Sequence, residues 1–326
     1  MIKNFALAGL LFVLIGCSQS HSPAARLDPL INQIYKQGEF RNQTQLFKAL
    51  DQAEVVFLGE HHDNLKHHKI QLTLLKRMVE QGKKPIIAIE VFSKNQTASL
   101  MQYLQGPPKR AAIYLKQIAQ ESRMEGRPEW VGYRQILEFA KSNDLQVAGL
   151  DIERSLKRRL TQHPRSELTE FEQEAIPETE TASPAYRAAM EKRFTQGHCG
   201  WSNPQLLSGL MRVWQTRNQV MGAGISKLHQ PARPVVVLLG AGHIEFNLAV
   251  VQQFKKHHPL AKIFSLAMIE VGLVPAQPQE YFLGTPEETE QFGPSFDWGW
   301  FTERSSWIDP CVRFKAQLQH HSKKER

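Results

Sequence analysis

The chain has 326 residues, 41% of them hydrophobic, a formal charge of +8 and 3 cysteines. That length suits one large α/β domain or two small ones with a real core. The basic residues are dispersed, densest at Lys157-Arg158-Arg159 and Lys323-Lys324-Glu325-Arg326, so no nucleic-acid footprint is present and nucleic acid is excluded as a partner. Most of these charges read as a solvated face, and a small anionic ligand such as a dicarboxylate, or anionic lipid, suits the balance better.

The N-terminus reads as an export signal. Lys3 supplies the positive start, Phe5 to Ile15 is apolar, and Leu14-Ile15-Gly16-Cys17 has the form of a lipobox. The run is short for a spanning helix, so a signal peptide over 1–16, lipidation at Cys17 and membrane attachment through lipid are expected. An uncleaved anchor is the alternative. Ser18 after the cysteine favours sorting to the outer membrane of a bacterial envelope. There, Cys199 and Cys311 can pair, although two buried thiols are an equal expectation. Residues 17–40 read as a polar tether and 41–326 as one domain.

A short helix is predicted around Thr44 to Leu50. Strand 54–59 precedes an amphipathic helix from about Asn64 to Gln81, with Leu65, Leu72, Leu75 and Val79 at helical spacing. Strand 85–91 and a helix from Ser93 follow, and Pro107-Pro108 breaks that helix. Helices over about 109–122 and 130–142, strand 145–151 and a helix near Glu153 come next. Residues 162–184 are polar and acidic with three prolines, which reads as a solvated connection, an insertion or a lid. Helices from Pro184 to Phe194 and Pro204 to Gly222, strand 235–240, helix 244–256 and strand 262–269 resume the alternation. The segment from Phe296 to Trp307 is aromatic and is expected to pack on the sheet or a partner. The alternation predicts a single α/β domain with a mostly parallel sheet flanked by helices and right-handed crossovers.

Four apolar runs end in ionisable residues: Val55 to Gly59 at Glu60-His61-His62-Asp63, Ile86 to Ile89 at Glu90, Val147 to Leu150 at Asp151, and Val235 to Leu239 through Gly240-Ala241-Gly242 at His243. The carboxyl edge of an open α/β sheet is where sites sit. Glu60 and His62 share one face if the strand continues, which makes a carboxylate–imidazole pair able to act as a general base or to ligate metal, with Glu90 and His243 completing the set. The competing reading is a buried hydrogen-bonded network tying strand ends together. The spacing matches no zinc motif. Lys66, His67 and His68 form a histidine-rich rim at the start of the next helix, suited to an anion, although surface histidines there are ordinary. The glycine-rich turn before His243 lacks a Walker lysine and a dinucleotide fingerprint.

Val55 to Asp63 (VVFLGEHHD), Ile86 to Phe92 (IIAIEVF) with Gln96, Gly149-Leu150-Asp151, Gly197-His198-Cys199-Gly200 and Leu239 to His243 (LGAGH) together resemble the ChaN-type haem-binding lipoprotein family over about residues 45 to 270. The resemblance implies an α/β fold, lipid attachment to a bacterial membrane and haem binding linked to iron acquisition. It further implies a homodimer with face-to-face haems, tyrosine on the iron, histidine and lysine near the propionates, and an outer-membrane haem receptor as a partner. Tyrosinate suits ferric iron, and propionates suit cationic side chains. Of Tyr35, Tyr103, Tyr114, Tyr133, Tyr186 and Tyr281, the pair Tyr114 and Tyr133 is favoured for the iron. His61, Lys66, His67 and His68 are the expected further cofactor contacts, and Trp201, Met211 and Trp214 are candidate pocket walls.

The fold group also resembles erythromycin esterases and membrane-tethered metalloproteases, which makes hydrolysis the alternative. On that reading His62 is the base or a metal ligand, Glu60 and Glu90 polarise water or hold metal, and His243 stabilises developing charge. The family is expected to carry an acid near 218, where this chain has Asn218, which weakens a catalytic reading there. Haem binding without turnover is the favoured expectation.

Overall fold

The computed structural model describes residues 27–177, 183–200, 203–312 and 314. Cys17, the export signal, Trp201 and the last charged residues lie outside them.

Eight strands form one sheet: β1 (Ile34–Lys36), β2 (Glu39–Arg41), β3 (Val55–Glu60), β4 (Ile86–Ser93), β5 (Gln146–Asp151), β6 (Val235–Gly240), β7 (Ile263–Glu270) and β8 (Trp298–Thr302), in the order β2-β1-β8-β7-β3-β6-β4-β5. From β8 to β5 every pairing is parallel. The β1–β2 hairpin adds the two antiparallel pairings at one edge. β3 lies between β7 and β6, so the chain winds outward from it in both directions and leaves a switch point at its carboxyl end.

The helices are α1 (Gln43–Asp51), α2 (Leu65–Glu80), α3 (Thr97–Gln105), α4 (Ala111–Glu121), α5 (Trp130–Ser142), α6 (Arg154–Gln162), α7 (Glu170–Glu174), α8 (Pro184–Gly197), α9 (Pro204–Leu228), α10 (Val250–His257) and α11 (Pro286–Phe292). Local chemistry starts several of them. Asn42 and Gln45 form a capping box on α1, Asn64 caps α2 through the Lys66 N–H, and Asn203 caps α9 ahead of Pro204.

The central strands are buried on both faces, which is why they read as continuous apolar runs. Val56 and Leu58 point into one core with Ile136 and Leu137 of α5 and Leu74 and Leu75 of α2. Val55 and Phe57 point the other way, against Met221 and Ile225 of α9 and Val251 and Phe254 of α10. Alternation along the strand produces this division.

Two expectations are corrected. Leu30 and Ile34 are buried and β1 pairs with β8, so the domain takes in residues that the predicted 17–40 tether assigned to a linker. Two strands of three residues each carry too little periodicity to read. The stretch 162–177 is not a bare connection, since Leu168 and Ile176 are buried with Leu156, Leu160 and Val220; residues 178–182 lie outside the described set. Cys199 and Cys311 are joined by a disulfide across 112 residues.

Candidate functional site

The carboxyl ends of β3, β6, β4 and β5 are neighbours, so the four chemically marked strand ends meet. Glu60 continues the face of Val56 and Leu58 and is 3% exposed. Its Oε1 lies 2.9 Å from His62 Nδ1 and accepts a hydrogen bond from the Tyr133 hydroxyl of α5, while Gln71 of α2 donates to Oε2 at 2.8 Å. His68 Nε2 sits 3.0 Å from the same Oε2, a close contact without hydrogen-bond alignment. Gly132 permits that approach, because a Cβ there would lie 1.9 Å from His68 Nδ1.

Glu90 goes to the opposite face. It follows Ala88, which faces the α9 side of the sheet, by ordinary alternation, just ahead of a register shift between Ile89 and Ser93. The carboxylate meets the guanidinium of Arg217 from α9, accepts the Gly240 N–H, and lies 3.3 Å from His243 Nε2. Arg217 also grips Asp151 through Nε at 3.1 and 3.0 Å, and Lys157 reaches the same carboxylate. His243 bonds Asn218 through Nδ1 and stacks on Trp214, with ring centres 4.2 Å apart and planes 14° from parallel. Trp214 in turn donates to the Tyr186 hydroxyl at 3.0 Å.

His62 joins the two halves. Nδ1 faces Glu60 and Nε2 lies 3.7 Å from Glu90, with the side chain 39% exposed. Burial disfavours its charge, but the two carboxylates outweigh burial and push its pKa up to about 10. Burial alone would raise Glu60, yet His62 and His68 hold it well below the carboxylate range. Burial is likewise outweighed at Glu90, held well below its ordinary value by His243, Arg217 and His62. Burial prevails at His243, which is lowered against the pull of Glu90. Burial and the Glu60 charge drive Tyr133 well above 10. The consequence is chemical: near neutral pH His62 is an imidazolium, a proton donor and anion partner, and no base.

The predicted residues therefore separate. Glu60, His62, Glu90 and His243 converge. Tyr133, His67 and His68 are buried and serve the network. Burial lowers His67 to about 3; its Nδ1 accepts the His61 N–H at 2.9 Å, which places the ring proton on Nε2 for Thr302 at 2.8 Å. His61 and Lys66 are exposed at the rim, Lys66 in contact with Glu303. Tyr114 is not brought to the cluster: it packs against Gly106, whose carbonyl accepts from Lys141 near the start of β5. Met211 is buried and does not line an open pocket. Among the described residues no group of three or more His, Cys, Asp or Glu side chains is placed to hold a metal. Sequence reasoning missed Arg217 and Gln71, whose only signal was a polar residue at helical spacing within otherwise apolar faces.

A family model described as haem-binding uptake, Tiki superfamily, ChaN matches residues 46–254. The fold is similar to that of ChaN of Campylobacter jejuni, a structure of cofacial haem binding, at 15% identity and a TM-score of 0.59, covering 82% of this chain and 95% of that one. A looser likeness links it to a mutant of the erythromycin esterase EreC in its open conformation, at 13% identity and a TM-score of 0.44, covering 78% of each chain. No curated protein matches the sequence. This chain belongs to the haem-binding ChaN family of the Tiki superfamily.

Proposed function

We propose that this protein binds haem at the rim of its carboxyl sheet edge and serves haem handling in iron acquisition, held to a bacterial outer membrane through lipid on Cys17. Membership of a haem-binding family across residues 46–254 is the observation that carries this reading. The lipobox Leu14 to Cys17 supports the anchor.

The residues at the edge fit haem in part. His61 and Lys66 are exposed, a pair that suits propionate carboxylates, with the His61 imidazole able to reach iron. Bound haem would supply the iron itself. The Tyr133 hydroxyl does not fit as iron ligand, since it is fully buried and donates to Glu60. A surface site of this kind leaves a porphyrin face uncovered. A second copy of the chain, each carrying one haem, covers that face, in keeping with the cofacial arrangement of the Campylobacter jejuni protein.

Hydrolysis has one observation in its favour, the convergence of Glu60, His62, Glu90 and His243. The protonated state of His62 argues against it as base. Haemin titration of the chain from Ser18 onward, read by absorbance and size-exclusion chromatography, tests the proposal. A saturable Soret band with dimer elution supports it, and no saturable band sinks it.

A further inference from the structure

A cleft of about 420 Å³ lies between α8, α9, α10 and α11. Asn218 belongs to its wall, and through the Asn218–His243 bond the cleft touches the sheet-edge cluster without sharing Glu60, His62 or Glu90.

The polar groups of this wall are neutral. Gln215, Asn218 and Gln219 of α9 and Gln252 and Gln253 of α10 bring side-chain amides, and Tyr186 of α8 brings a hydroxyl. The described lining residues include no carboxylate, and their cation, Lys256, is exposed and already engaged. A charged ligand would therefore leave water without gaining a counter-charge.

Two of the amides are buried and incompletely paired. Asn218 is 3% exposed; one end of its amide meets His243 Nδ1, and the other has no hydrogen-bond partner among the described residues. Gln219 is 6% exposed, and its Oε1 is enclosed while its Nε2, also without a partner, keeps open surface. Both side chains line the cleft, and buried amides are nearly always paired. The Tyr186 hydroxyl accepts from Trp214, and burial pushes it up to about 12, so it keeps its own proton for a further acceptor. The backbone of the wall is also held at a cost. Ala249 sits at φ 53° and ψ −119°, just after Phe246 and Asn247 at positive φ, and strain of this kind collects at ligand clamps.

We propose that this cleft binds an uncharged, multiply hydroxylated ligand of monosaccharide size, held by the amides of Asn218 and Gln219 and by the Tyr186 hydroxyl, with Phe292 supplying apolar surface for ring carbons. A hydroxyl both donates and accepts, so it pairs with whichever end of the Asn218 amide His243 leaves over. The volume lies at the small end of ligand sites, which run from about 300 to 1,000 Å³.

Ligand-observed saturation-transfer NMR of the full-length protein, solubilised in a detergent without a sugar headgroup, provides the test with glucose, N-acetylglucosamine and succinate as probes. Saturable binding of a sugar is expected, weakened about fivefold by Tyr186→Phe and by Gln219→Leu, with no saturable signal from succinate. Binding of glucose alone identifies a site for a simple sugar ring, N-acetylglucosamine alone a site for an acetamido sugar, and both a general sugar site. No saturable signal from either sugar, succinate binding as strong as sugar binding, or an affinity unchanged in each variant that folds, overturns the proposal. Tyr186 is half-buried and loses only its oxygen, so Tyr186→Phe keeps the test sound if Gln219→Leu does not fold.

Discussion

Tyr133 donates its hydroxyl to the Glu60 carboxylate from 73 residues further along the chain, joining α5 to the end of β3. A tyrosine with that engagement is structural. Tyr133→Phe removes one bond to a buried charge and should destabilise the fold by about 1.5 to 3 kcal/mol in urea unfolding, with haem affinity unchanged. A loss of haem absorbance in a folded Tyr133→Phe protein would contradict this assignment.

His62 is expected to stay protonated through the physiological range. Its folded pKa, about 10, lies above the ordinary imidazole value. Its stabilisation is therefore fully present below about 6.5 and is lost as pH rises through about 10. With the ring 39% exposed, solvent screening limits the effect to about 1 kcal/mol or less. In an NMR titration the His62 ring signals should not move between about pH 6 and pH 8. In Glu60→Gln the midpoint should fall; an unchanged midpoint would show that Glu60 does not hold the proton there.

Arg217 is the counter-ion of two buried carboxylates, Glu90 and Asp151. Arg217→Met takes the guanidinium from both, leaving only Lys157 on Asp151 and the histidines beside Glu90, and should cost about 3 kcal/mol near neutral pH. The sign with pH follows from the depressed Glu90. A lowered carboxylate stabilises above its unfolded value and loses that contribution as pH falls. The deficit of the variant should thus shrink on acidification, and a deficit constant from neutral to acid pH would exclude this mechanism.

The strand ends were legible because an apolar run stopping at an ionisable residue is a local signal, and Glu60, Glu90, Asp151 and His243 meet as the parallel reading requires. The sheet's outer edge was not. The three-residue strands β1 and β2 lie too short in sequence for period-two alternation, and β8 was visible only as an aromatic segment. In the site, Arg217 and Gln71 act through helix faces whose partners lie far away in sequence. Tyr133 could be listed as a tyrosine but not placed, since its direction depends on how α5 packs. Phase along the strands decides the rest: Glu60 follows Leu58 to one face, while Glu90 follows Ala88 to the other.

The Cys199–Cys311 bond closes a segment of 112 residues. Its removal should lower stability by about 2 to 4 kcal/mol through the freer unfolded chain. Cys199→Ser and Cys311→Ser should melt alike, and a reductant should lower the melting temperature of the native protein alone. An equal effect of reductant on the variants would argue against the bond.

Haem binding at this rim is decided by haemin titration of the native chain beside a His61→Ala, Lys66→Ala double variant. A saturable Soret band is expected for the native protein and an affinity about tenfold or more lower in the variant, with both equally folded. A native protein that gives no saturable band would contradict haem binding, and equal affinity in the two would contradict its placement at this rim.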